Sequence, residues 1–214
     1  MRGWPIARVV RGVAWWGVLS AAIAPALLIG GWTVAAALQP SSFDAMTRTV
    51  SSLAALGATD RWVMTAVLAA VGGCDVITGL ALRSAATAGR LILVAGGAAG
   101  ILVAASPEPE GGGSLAHAFW ATFGLLAMTA WPLAARRRGD DVPLALRPAV
   151  SAWASGVQLA LLLWFAAELV AGGGQLGLAE RVLGAVQASW PLAVVVTVAL
   201  APVPGQQVKV PLDR

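Results

Sequence analysis

Polar residues divide the chain into six continuous apolar runs, at 13–38, 62–82, 91–105, 115–135, 149–171 and 182–203. A helix rises 1.5 Å per residue, so about 20 residues cover a ~30 Å hydrocarbon core. The third run is short, but the weakly polar segment 84–89 lets its helix begin earlier. None of the runs alternates apolar with polar residues, which excludes barrel strands. The pattern predicts an all-α integral membrane protein with six transmembrane helices. These form a single domain over 1–214, leaving no length for a soluble one. The first run follows Arg2, Arg8 and Arg11 as a signal peptide would, but its apolar stretch is too long. It reads as a retained anchor.

Composition agrees: 58% of residues are hydrophobic and 11% charged, with mean hydropathy +0.80. A net charge of +4 and a pI near 11 would point to nucleic acid in a soluble protein. Here the basic residues flank the spans instead. Arg2, Arg8, Arg11, Arg83, Arg90, Arg136, Arg137, Arg138, Arg147, Lys209 and Arg214 fall on one side, and Arg48, Arg61 and Arg181 on the other. The asymmetry puts both termini in the cytoplasm. No aromatic residues interleave with the basic ones as a nucleic-acid surface requires, so the expected contact is the lipid bilayer. Arg136 to Arg138 are placed to attract anionic headgroups. Arg supplies all basic residues but Lys209, and Ala and Gly abound, a bias of high-GC bacterial genomes. The expected location is a bacterial cytoplasmic membrane.

Three ionisable groups remain inside the runs. His117 lies about one turn into the fourth and Glu168 about one turn from the end of the fifth, both near the outer face. An imidazole and a carboxylate at similar depth define a candidate outward polar pocket. The Ser- and Thr-rich first loop, with Ser51 and Ser52, and the acidic Pro-Glu-Pro-Glu-Gly run of the third loop lie above it. Asp75 is about 20 Å into the second run. It either relays protons or binds a solute, or it pairs with a polar group such as Gln158 or Gln187 and fixes packing. Gly96 with Gly100, and Ala69 with Gly73, mark close helix approach, and Pro191 is expected to kink the sixth helix. Asp60 and Glu180 read as acids at helix amino ends. Cys74, the sole cysteine, reads as a small packing residue.

One histidine and one cysteine cannot assemble a usual metal centre, so no metal or other cofactor is expected. There is no Gly-x-Ser-x-Gly elbow and no phosphate-cradling glycine loop, so the chain does not read as an enzyme.

Several segments carry a family resemblance. Thr49-Val50-Ser51-Ser52-Leu53-Ala54-Ala55-Leu56-Gly57 ends the first loop, Trp62-Val63-Met64 opens the second run, and Gly79-Leu80 closes it. A Pro-rich loop then precedes His117, and Gly177-Leu178-Ala179-Glu180-Arg181 precedes the sixth run. In this order they resemble the bacterial membrane family termed domain of unknown function 998. The resemblance implies a fold and a membrane location but no activity. Ser52 stands where that family commonly has Asp, and Asp75 matches no acid associated with it. The loop architecture is also loosely similar to eukaryotic six-helix proteins of the Frag1, DRAM and Sfk1 type.

The reading that follows is a non-enzymatic protein handling a lipid or small solute through the outward pocket. Two alternatives stand beside it: a structural subunit packing on a membrane-protein partner or on its own copies, and a proton-coupled transporter using Asp75.

Overall fold

The computed structural model describes residues 13–110 and 112–201. Arg2, Arg8, Arg11, Lys209, Arg214, Gly111 and the last two residues of the sixth run lie outside them. The helices are α1 (Trp15–Ala37), α2 (Trp62–Ala81), α3 (Thr87–Ala104), α4 (Leu115–Ala135), α5 (Pro148–Ala171) and α6 (Leu176–Leu200). Short 3-10 turns occupy Ser51–Ala54 and Leu144–Leu146. All six helices are long and apolar enough to cross a membrane. Among the described residues there is no strand.

Each helix packs on its neighbours in sequence, and α6 returns to α1, so the six form a closed ring. Large apolar side chains point outward, among them Leu19, Ile29, Leu126 and Leu163. Hydrocarbon is the solvent such a surface requires. The most peripheral helix is α5, which buries only Ser151, Ala154 and Gln158. Two apolar clusters fill the interior. One gathers Leu82, Leu93, Trp131, Leu146 and Val195 near the ends joined by residues 82–86 and 136–147. The other gathers Leu28, Leu53, Met64 and Val71 beneath the first loop.

α2 and α3 cross at close range. A Cβ on Gly72 would lie 2.5 Å from the Gly97 carbonyl oxygen, and one on Gly97 2.5 Å from that of Gly72. Here the expected small-residue pattern needs correcting. Gly100 does approach Gly72, but Gly96 faces Met128 of α4, and Gly73 has open space around it. The Ala69–Gly73 spacing therefore marks no close approach at Gly73. Pro25, Pro132 and Pro191 lie within α1, α4 and α6, each of which continues through its proline.

Two helix starts differ from the hydropathy boundaries. α3 begins at Thr87, inside the weakly polar segment, and Arg90 turns back so that its guanidinium donates to the carbonyls of Gly79 and Leu80 at 3.0 Å each. A cation thus completes the carboxyl end of α2, where the helix dipole favours it. α6 begins six residues before its apolar run, because its polar residues are bonded internally. Arg181 Nη1 donates to the carbonyls of Ala45, Arg48 and Gly177 at 2.7, 2.8 and 3.0 Å. Glu180 consequently falls in the second turn of α6, and Asp60 precedes the N-cap Arg61 of α2. Asp60 therefore stands at the amino end of α2 as expected, whereas Glu180 lies past the first turn of α6 and does not have the dipole role expected for it.

Candidate functional site

The site is assembled where the first and third loops meet the ends of α4 and α6. Ser114 caps α4 by accepting the His117 amide at 3.2 Å, which holds the imidazole on the first turn. His117 is 4% exposed. Its Nδ1 lies 3.0 Å from the Ser106 carbonyl oxygen, which can only accept, so the proton belongs on Nδ1. Nε2 faces Ser51 Oγ at 3.1 Å, and Glu108 Oε1 lies 3.8 Å away.

Ser51 opens the 3-10 turn, which Thr49 supports. Thr49 Oγ1 accepts the Ser52 amide at 3.1 Å, and the Thr49 carbonyl accepts the Ser52 hydroxyl at 2.6 Å. From below, the Glu180 carboxylate accepts the Val50 amide at 2.5 Å and stands 3.4 Å from Ser51 Oγ. A carboxylate bonded to a buried amide is among the stronger fastenings a loop can have. The third loop closes over the first as the Leu56 amide donates to the Glu108 carbonyl at 2.7 Å.

Counting protons across Ser51 is informative. Its single hydroxyl proton can go to His117 Nε2 or to Glu180, not to both. One further proton, held on the imidazole or on the Glu180 carboxyl, makes both contacts hydrogen bonds. In one arrangement the imidazolium donates to Ser51 and Ser51 to Glu180; in the other the Glu180 carboxyl donates to Ser51 and Ser51 to Nε2.

That turn separates two spaces. On the loop side is a polar cleft of about 610 Å³, lined by Arg48, Thr49, Ser52, Glu108 and Glu110 among others. On the bundle side is a mainly apolar cavity of about 170 Å³ between α1, α2, α3, α4 and α6. Trp32, Trp120, Leu125 and Met128 contribute to its wall, and Ser51, Asp75, Glu180 and Gln187 are its polar residues. Asp75 is 6% exposed, and its Oδ1 has no hydrogen-bond partner. Its place on the wall depends on Gly97, where a Cβ would lie 2.9 Å from that of Asp75.

The sequence-selected residues divide accordingly. His117 and Ser51 are in contact. Ser52 neighbours them but turns its hydroxyl to Thr49 and faces the cleft. Glu168 does not join His117: its Oε2 accepts the Gln175 amide at 2.9 Å, fastening the α5–α6 turn behind the left-handed Gly172. The expected pairing of Asp75 with a glutamine is likewise not formed. Gln187 donates to the Leu125 carbonyl and Thr129 Oγ1 at 3.1 Å each, and the Gln158 amide atoms have no partner. Cys74 is a free, half-buried thiol whose carbonyl accepts the Ser20 hydroxyl at 2.8 Å. The site residue missed from sequence is Glu180, which read only as an acid at a helix amino end and as part of the Gly177–Arg181 segment. Among the described residues, no three His, Cys, Asp or Glu side chains converge as metal ligands.

Six helices in a ring, each long and apolar enough to cross a membrane, define a multi-pass membrane protein. The model of the family described as "Protein of unknown function (DUF998)" matches residues 22–197, and the chain belongs to that family. The match spans Ser51, Asp75, His117 and Glu180. No curated protein and no solved structure matches the chain.

Proposed function

We propose that this protein handles a lipid or small solute, without catalysing a reaction, in a pocket reached from the outer face of a bacterial cytoplasmic membrane. The pocket is the bundle cavity, and the Ser51 turn is its roof. Both termini are cytoplasmic in this reading, and the first and third loops are external. The observation that carries it is an apolar cavity with acidic groups in its wall, closed toward the polar cleft by one short turn. Concave, largely apolar spaces with a few placed polar groups are how small ligands are bound.

Cysteine labelling tests the arrangement. With Cys74 replaced by Ser, a cysteine at Ser42 in the cleft should react with a membrane-impermeant maleimide on intact cells. A cysteine at Arg136 should react only after permeabilisation. The reverse pattern rejects the orientation. A cysteine at Ala121, on the cavity wall, should label more slowly than that at Ser42, and faster once Glu180→Ala loosens the roof.

Asp75 favours a second reading, proton-coupled transport, because its Oδ1 is unpartnered and the residue lines the cavity beneath the Ser51 turn. Asp75→Asn with undiminished proton-driven uptake in liposomes rejects it.

A further inference from the structure

We infer that the ligand of this cavity is a small organic cation, a protonated or quaternary amine with an apolar body. The inference rests on the reading of the cavity as a ligand pocket. The wall carries two acidic side chains, Asp75 and Glu180, and no Lys, Arg or His. The neighbouring cation Arg181 is not on the wall, although its Nη2 has no hydrogen-bond partner. Arg181 Nη1 is held by the carbonyls of Ala45, Arg48 and Gly177, and His117 lies beyond Ser51. The Gln187 amide nitrogen, a neutral donor on the wall, is committed to Leu125 and Thr129.

Glu180 already accepts the Val50 amide, whereas Asp75 Oδ1 has no partner at all. A buried carboxylate without hydrogen bond or counter-charge is costly in an apolar surrounding, and a bound cation supplies what is missing. Trp32 and Trp120 add aromatic walls, which attract ammonium groups through their ring faces. The size fits a compact ligand, since an apolar cavity of about 150 Å³ holds a benzene ring. An anionic ligand would face two acids and no base, and a purely apolar one would leave Asp75 unpaired.

Phenyltrimethylammonium and its neutral isostere tert-butylbenzene test this on the full chain in lipid nanodiscs, with tryptophan fluorescence and calorimetry as readouts. Wild type should bind the cation at least tenfold more tightly than the isostere. Asp75→Asn should lose at least tenfold in affinity for the cation and keep the isostere within twofold. The comparison within wild type needs no variant, so a misfolded Asp75→Asn leaves the test intact. Equal affinity for the two compounds, or an Asp75→Asn protein that binds the cation like wild type, overturns the inference. If the isostere then still binds, and Gly184→Leu blocks it, the pocket stands without its charge preference. Failure of both compounds to bind wild type overturns the pocket and the inference together.

Discussion

Glu180→Ala is the perturbation that should open the roof of the cavity. In the native protein the Glu180 carboxylate accepts the Val50 amide at 2.5 Å and faces Ser51 Oγ at 3.4 Å. Val50 is 5% exposed, so its amide has no ready access to water once the acceptor is removed. A hydrogen bond to a charged group contributes about 1.5–3 kcal/mol, and the longer Ser51 contact adds less than about 1 kcal/mol. The alanine variant should therefore lose about 2–4 kcal/mol of the free energy holding the first loop down. Glu180→Gln keeps an acceptor oxygen and should lose about half as much. Trypsin provides the assay, since the Arg48 carbonyl is held by Arg181 and the loop must open before the chain is cut there. When opening is fast relative to cleavage, the rate follows the open population. A loss of about 2 kcal/mol then raises cleavage after Arg48 about 30-fold, with Glu180→Gln intermediate. Cleavage of Glu180→Ala at the wild-type rate refutes the argument that this carboxylate fastens the roof.

Three further outcomes follow from named contacts. His117 is the only histidine, so its two ring nitrogens give a single pair of ¹⁵N resonances. When the ring is neutral, these should show the proton on Nδ1, held by the Ser106 carbonyl; a proton on Nε2 contradicts the assigned bonding. Gly97→Leu should destabilise the bundle by at least about 2 kcal/mol in thermal unfolding, because overpacking outweighs the gain in helix propensity. Gly73→Ala, facing open space, should instead be neutral or stabilising by up to about 1 kcal/mol, and the opposite ranking would place the α2–α3 crossing elsewhere. Glu168→Ala should cost about 0.5–1.5 kcal/mol through the exposed Gln175 amide and leave the His117 resonances unmoved, whereas a shift in them would restore Glu168 to the site.

The six helices were legible because continuous apolar runs of this length have few other uses in a chain. Their starts were legible only where polarity and helix end coincide. At α6 they do not, since Glu180 and Arg181 look like loop residues until the first loop supplies an amide for one and carbonyls for the other. The same displacement concealed the site. His117 stood out as the sole imidazole in an apolar run, and Ser51 as part of the loop above it. The acid beneath that loop had to be chosen among residues far apart in sequence, and depth alone favoured Glu168. Depth does not fix rotation about a helix axis. His117 faces the first and third loops, while Glu168 folds back on its own turn. Asp75 was conspicuous from its position within a span. What the sequence could not convey is that Gly97 makes room beside it and that the glutamines expected to pair with it do not reach it.

In the membrane the cavity beneath Ser51 is expected to be occupied. A Cβ at Gly184 would meet Leu28 Cδ2 at 3.6 Å and Trp32 Cζ3 at 3.8 Å, ordinary contact distances on the cavity wall. A Cβ is therefore accommodated there, and the further carbons of Gly184→Leu take up cavity space. Native mass spectrometry of protein released from lipid nanodiscs prepared from the host membrane is the direct measurement. Wild type should carry one bound small molecule that the equally folded Gly184→Leu variant lacks. Identical spectra for the two proteins, with no bound species or with the same one, would contradict the claim.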